Sequence, residues 1–484
     1  MYLGIDVGTS GVKAALLAAD GSLVEQATAP LEVSRPAPMH SEQDPADWWA
    51  ATEKAVLSLK AQNRKAVRGI GVAGQMHGAT LLDAQDRVLR PAILWNDGRS
   101  EAECAELEAA EPRSREIIAN AVMAGFTAPK LLWVRKHERE IFDQVRSVLL
   151  PKDYVRLLMT GTKACDMADA SGTCWLDVAN RSWSEEMLTA TGLSLSAMPE
   201  LFEGNAVTGN LLADVAARWG MDSVPVVAGG GDNAAAAVGL GVVNDGDAFI
   251  SLGTSGVVFV ATDSLRANPS RGLHAFCHAL PNMWHQMSVM LSAAASLDWA
   301  SKNVLGTEDV PALLTLAEDS TGEAPYFLPY LTGERTPHAD PHAQGVLFGL
   351  RAETGRPEIA RSIVEGVAMG LRDGLDTITE SGSKVESLTV AGGGSRSLFW
   401  GRILAGALDT PLVYRAGGDV GPAFGAARLA LMAVEGAPVA DACPPPTMIA
   451  TVEPEPAIVS YFQGRQPRFR SLYSALQSSF RGDQ

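Results

Sequence analysis

Gly8-Thr9-Ser10-Gly11-Val12 recurs letter for letter as Gly253-Thr254-Ser255-Gly256-Val257. Each copy follows a short apolar run and opens another, Val12 to Leu17 and Val257 to Ala261, which predicts strand, glycine turn, strand in both places. Two more segments repeat in the same order. Val72-Ala73-Gly74, closing an apolar run, returns as Val390-Ala391-Gly392. Gly229-Gly230-Gly231-Asp232-Asn233, followed by four alanines, returns as Gly417-Gly418-Asp419-Val420-Gly421 followed by small residues to Ala427. One such pair would mean little in a chain with 47 glycines. A shared order of hairpin, strand with terminal glycine, and small-residue helix points to a duplicated α/β domain. Two copies facing each other bring both Gly-Thr-Ser hairpins to one cleft.

A chain of 484 residues is too long for one compact core and suits two large domains. The boundary is expected near 240. That gives a first domain over 1–240 for the sugar and the first hairpin, a second over 241–440 for ATP, and a tail over 441–484 with no assigned place. Tiny side chains from Asn233 to Leu240 allow a helix to approach another backbone closely, as a domain junction needs.

With 46% apolar and 20% charged residues the chain is a globular type, not a disordered one. Its formal charge of -17 repels phosphate backbones and anionic lipid, which argues against nucleic acid and membrane as partners. Association into a homodimer is left open. Five cysteines at spacings that match no zinc or redox pattern suggest buried thiols in a reducing cytoplasm. Met1 is followed at once by strand-like sequence, so no signal peptide is expected. The apolar stretch Val224 to Val243 is interrupted by Asp232 and Asn233 and is no membrane span.

Certain residues carry chemistry. The glycine turn at 8–11 exposes backbone amides, Thr9 and Ser10 add hydroxyls, and Lys13 adds a cation, a set that cradles phosphate; the alternative is an ordinary hairpin turn. Asp6, ending the preceding strand, reaches the same phosphates only through a metal, and a water-coordinated Mg²⁺ fits. The Walker spacing is absent. Gly392-Gly393-Gly394 after a strand offers bare backbone on which adenosine can lie, or a flexible turn. Asp232 is either a helix N-cap or a general base at the cleft floor, with Asp419 the structural cap in the second copy.

Gln75-Met76-His77-Gly78 and Trp95-Asn96-Asp97-Gly98-Arg99 have the composition of a polyol pocket, although a single histidine is more often structural. Five of the eight histidines fall between 274 and 342, with no His-x-x-x-His metal spacing on a convincing helix. Pro329-Tyr330-Leu331-Thr332-Gly333-Glu334-Arg335-Thr336-Pro337 reads as an ordered loop near the cleft, with no role legible in its residues.

From end to end the chain resembles the FGGY carbohydrate kinases, a branch of the sugar kinase–actin superfamily. Gly125-Phe126-Thr127-Ala128-Pro129-Lys130-Leu131-Leu132-Trp133 is similar to one family motif, and the segment from Gly345-Val346-Leu347-Phe348-Gly349-Leu350 to Val364-Glu365 to the other. The resemblance implies two α/β domains of ribonuclease-H-like, actin-like ATPase topology flanking a deep cleft. It implies Mg-ATP and a small-molecule sugar as ligands. Ser41-Glu42-Gln43-Asp44-Pro45, Gln75-Met76-His77-Gly78 and Pro151-Lys152-Asp153-Tyr154 resemble the branch acting on D-xylulose; glycerol-specific members carry an Arg-Glu pair at the second of these.

By that resemblance Asp232 is the proton acceptor and Asp6 lies near metal and phosphates. Met76, His77, Trp95, Asp232 and Asn233 contact the sugar. ATP falls to Thr9, Ser10, Lys13, Gly253, Thr254, Gly393 and Gly394. The rivals are a kinase of another ketose or polyol, and a non-catalytic nucleotide switch. A repressor would need a basic DNA-binding helix pair and a chaperone a client-binding domain; neither is visible.

Overall fold

The computed structural model describes residues 1–393, 397–416 and 421–481. Two seven-stranded mixed sheets organise the described residues. The first contains β1 (Tyr2–Val7), β2 (Gly11–Leu17), β3 (Leu23–Pro30), β4 (Gly69–Gly74), β5 (Val207–Asn210), β6 (Pro225–Val227) and β7 (Gly230–Gly231), in the order β5-β6-β4-β1-β2-β3, with β7 also paired to β4. The second contains β8 (Ala248–Leu252), β9 (Gly256–Thr262), β10 (His274–Cys277), β11 (Trp284–Met290), β12 (Leu388–Ala391), β13 (Leu412–Arg415) and β14 (Met448–Val452), in the order β10-β11-β9-β8-β12-β13-β14.

The sequence repeat is a structural repeat. β1 runs antiparallel to β2 and parallel to β4, as β8 runs antiparallel to β9 and parallel to β12. Continuous apolar runs form these strands because both faces are covered: every residue of β4 and of β9 is buried.

The helices that matter to the site are α1 (Pro45–Ser58), α2 (Pro151–Thr160), α3 (Asp232–Leu240), α4 (Ala294–Trp299), α5 (Val310–Glu318), α6 (Arg356–Glu380), α7 (Gly421–Glu435) and α8 (Pro456–Phe480). α3 and α7 are the repeated small-residue helices, and each packs on the other half's sheet. α3 inserts Ala237 and Leu240 against Phe249 and Phe259 of the second sheet. α7 lies on the first sheet, where a methyl group on Gly4 of β1 would overlap the Ala423 backbone. The two helices cross in backbone contact, since a methyl group on Gly425 would overlap the Ala235 carbonyl. Ala73, Ala235 and Ala426 meet at this junction.

Residues beyond 440 join the second half. β14 pairs with β13, and α8 buries Phe462, Phe469, Leu472 and Tyr473 in the second core. Each such side chain contributes roughly 1.5–3 kcal/mol by burial. The connection 75–206, between β4 and β5, supplies most of the lining of the polar pocket below. No helix among the described residues is long and apolar enough to cross a membrane. All five cysteines are buried free thiols.

Candidate active site

Asp6 is the next-to-last residue of β1, opposite Lys13 of β2, and Asp232 opens α3. Both carboxyls face the floor of the cleft, where burial pushes Asp6 up to about 7, helped by the Asp232 charge, and Asp232 up to about 6. Asp6 Oδ1 is buried with no hydrogen-bond partner. An orphaned carboxylate oxygen beside a second carboxylate fits a hard divalent cation, so the donor set is right for Mg²⁺ at Asp6.

Asp232 is not a helix cap. Gly231 holds the cap position and Asp232 is the first helical residue. Its Oδ1 accepts from the Asn233 backbone N–H at 2.7 Å and from Asn233 Nδ2 at 2.9 Å, which leaves Oδ2 for another donor. Asp419, its counterpart in the second copy, and Gly394 both lie outside the described residues.

Three cavities are lined by the residues singled out above. A central one of about 320 Å³ is lined by Asp232 and Asn233 from the first half and by Ser251, Gly392 and Gly421 from the second. Lys13 places its ammonium beside Gly421, at the start of α7. A second cavity, of about 650 Å³, joins Gly253, Thr254 and Gly393 to an apolar wall that includes Leu314 and Phe399. Flat, mostly apolar walls with a few polar groups suit a purine nucleoside. Part of that wall, with Val310 and Leu314, comes from α5.

The third cavity, about 340 Å³, is lined by Trp95, Asn96 and Gly125 of the first half and Leu291 and Arg335 of the second. Between it and Asp232 lie Met76 and His77. The Met76 thioether packs over Gly231, and its methyl over Gly172. His77 has φ 69° and its Nδ1 lies 2.7 Å from the Gly172 carbonyl. A carbonyl only accepts, so Nδ1 carries the proton and Nε2 presents a lone pair. Burial, with the Lys130 charge, pushes the ring down to about 3, so it stays neutral.

Thr9 is tied by its side chain to the Trp95 side of the cleft. Its hydroxyl donates to Gln75 Oε1 and accepts from Trp95 Nε1, each at 3.0 Å. Gln75 in turn donates to Gln43, which is fixed by Trp48 and by the Thr9 carbonyl. Ser10 stands exposed at the turn tip.

Sequence reasoning missed the groups behind the pocket. Lys130 donates to the His77 and Gly125 carbonyls and holds the loop that carries the histidine. Lys152 is enclosed by Asp153, Asp166 and Asp169, all with fully buried side chains, and Arg156 bonds Asp153 at 2.7 Å. Asp153, Cys165 and Asp166 have metal-ligand proximity, but the two cations already hold these carboxylates, so the cluster is an ion-pair network. The spacing of Asp166 and Asp169 in an apolar stretch was the available signal.

A family model described as the FGGY family of carbohydrate kinases, N-terminal domain, matches residues 1–239, and its C-terminal counterpart matches 248–434. The chain is 54% identical over 480 residues, 98% of its length and 99% of the relative's, to xylulose kinase of Escherichia coli (strain K12). Among solved structures it is similar to a "xyloylose kinase" from Brucella ovis, with TM-score 0.95 and 49% identity over 99% of each chain. The xylulose kinase of Rhodospirillum rubrum superposes with TM-score 0.90 at 27% identity, again over 99% of each chain. The repeated hairpins, the crossed small-residue helices and the paired carboxylates at the cleft floor are thus set in a protein whose lineage is plain: the chain belongs to the FGGY family of carbohydrate kinases.

Proposed function

We propose that this protein is a xylulose kinase, transferring the γ-phosphoryl group of ATP to the 5-hydroxyl of D-xylulose. The observation that carries the reading is the pair Asp6 and Asp232 on the cleft floor, with a polar pocket on one side and a nucleoside-sized cavity on the other. The sugar identity rests on the 54% identical relative and on the Met76–His77 pocket.

In this mechanism Asp232 accepts the proton of the sugar hydroxyl through Oδ2 while Asn233 fixes Oδ1. The hydroxyl oxygen forms a bond to the γ-phosphorus as the bond to the β–γ bridging oxygen breaks and ADP leaves. Burial raises the basicity of Asp232, which matches it to its task near neutral pH. His77 Nε2 accepts a hydrogen bond from a hydroxyl further along the sugar, and Trp95 offers an indole face. Lys13, with the backbone amides of both hairpins, meets the phosphate oxygens; the Gly253–Gly393 cavity takes the adenosine. Mg²⁺ held at Asp6 would neutralise phosphate charge. The protein acts in the cytoplasm, on small molecules.

A panel of ketoses and polyols, assayed for ADP release, tests the substrate. D-xylulose is expected to have the highest kcat/KM, above D-ribulose, L-ribulose and glycerol. A first rank for glycerol or L-ribulose overturns the assignment.

A further inference from the structure

The loop that the sequence left without a role lines a cavity shared by the two halves. Glu334 Oε1 accepts from the backbone amides of Leu291 and Arg335, at 2.9 and 2.8 Å. The Thr336 amide donates to the Val289 carbonyl, and the Thr336 hydroxyl donates to the Gly272 carbonyl at 2.8 Å. Arg335 is therefore pinned on both sides, and its side chain enters the sugar-side cavity opposite Trp95 and Asn96.

Its guanidinium is aimed as well as delivered. Asn120 donates through Nδ2 to the Ile118 and Ala275 carbonyls and turns Oδ1 to His274 Nδ1 at 3.1 Å. His274 must then carry its proton on Nδ1, which leaves Nε2 to accept from Arg335 Nη1 at 3.3 Å. The His274 ring is clamped between Phe276, stacked at 5.3 Å, and Phe126 at 5.6 Å; Phe126 also packs on His77 at 4.9 Å. Among the described residues no carboxylate lies within ion-pair distance of Arg335. The neighbouring Glu334 is the charge set against it, though not as an ion pair, and burial pushes that carboxyl up to about 8; a guanidinium held mainly by a neutral imidazole is an expensive arrangement with no structural return of its own.

We infer that Arg335 is a substrate-contacting residue that grips the keto end of the acceptor sugar, and that His274 is the positioning residue that aims it. The inference rests on the sugar-kinase reading of the cleft. Met76 packs on Gly231 beside Asp232, and His77 leads through Phe126 to His274 and Arg335, so a sugar whose 5-hydroxyl meets Asp232 and whose middle meets His77 lays its opposite end by Arg335. In an open-chain 2-ketose that end carries a carbonyl at C2 and a hydroxyl at C1. A guanidinium has only donors and matches a planar carbonyl oxygen with its neighbour, whereas the lone pair of His77 Nε2 accepts a hydrogen bond from a hydroxyl between. Because Arg335 comes from the second half, the keto end is held only when the two halves are together.

The test compares D-xylulose with xylitol and D-arabinitol, the two pentitols made by reducing its keto group. ADP release, KM for ATP and melting temperature are measured for the parent and for Arg335→Met, Arg335→Gln and His274→Phe. Arg335→Met should raise KM for D-xylulose at least tenfold and bring its kcat/KM preference over the pentitols close to one, with KM for ATP and melting temperature unchanged. Arg335→Gln, which keeps a shorter donor, should fall between. His274→Phe keeps the ring stack but not the hydrogen bond, and should lose several-fold of the same preference at unchanged melting temperature. If either folded Arg335 variant kept the parental KM and ketose preference, the inference is overturned; an unchanged preference in His274→Phe overturns the positioning role. A parent enzyme inactive on D-xylulose would instead sink the substrate assignment, before any variant is read.

Discussion

The two Gly-Thr-Ser-Gly-Val hairpins share every letter and do different work. In the first, Val7 pairs with Val12 and the Gly8 amide closes on the Gly11 carbonyl; in the second, Leu252 pairs with Gly256 and the Gly253 amide closes on the Ser255 carbonyl. The second turn is thus one residue tighter. Two residues before the first glycine, the first copy carries Asp6 and the second Ser251. Thr9 is drawn into the Gln75 and Trp95 network, while the Thr254 and Gly253 carbonyls accept from the amides that begin α4. A duplicated scaffold became asymmetric through one carboxylate and through what each turn leans on: an acidic copy tied to Gln75 and Trp95, and a neutral copy tied to the start of α4.

That asymmetry is sharpest at the carboxylates. Asp232→Asn should lower kcat by roughly 10²–10⁴, with little change in melting temperature because Gly231, not Asp232, holds the cap position. A kcat within a few fold of the parent would leave the mechanism without its base.

Next comes conversion of one hairpin into the other. Asp6→Ser gives the first copy the second's residue and should cost about 10² or more in kcat, the scale of losing one charge-stabilising group, with sugar affinity retained. Near-normal turnover in saturating Mg-ATP would make the difference between copies incidental. The pH profile is a milder probe. Asp232 must be ionised to act, so log kcat/KM should fall as pH drops through about 6. Limiting Mg²⁺ should move that limb up, since Asp6 without a cation is held up to about 7 and its protonation then also matters. A flat profile from pH 5 to 8, roughly the range in which these groups titrate, removes the ionised-base requirement.

The smallest effects separate the two threonines. Thr9→Ala should raise KM for the sugar about fivefold, one hydrogen bond's worth, and leave KM for ATP alone; Thr254→Ala should do the reverse. If both variants changed the same constant, the assignment of one hairpin to each substrate would fail.

Much of this was open to inspection in the linear chain. The repeat, its order, the strand–turn–strand pattern and the small-residue helices specify duplicated sheets because hairpin and helix signals are local: they depend on side chains a few residues apart. Asp6, Asp232, Met76 and His77 stood out for the same reason, each at the end of a strand or beside a glycine run. Which half each repeated helix packs on, the cap position at Gly231, the ion-pair network around Lys152, and the delivery of Arg335 to His77's pocket were not legible. Arg335 and His274 lie 61 residues apart, and Asn120 a further 154 from His274. Hydrogen bonds and burial between such groups exist only once two sheets and their loops have met. The sequence alone therefore determined the kind of fold and the kind of chemistry. The direction of each carboxylate, the tautomer of each histidine and the partners of each buried charge were decided by the tertiary structure, because all three depend on which distant groups share a space that excludes water.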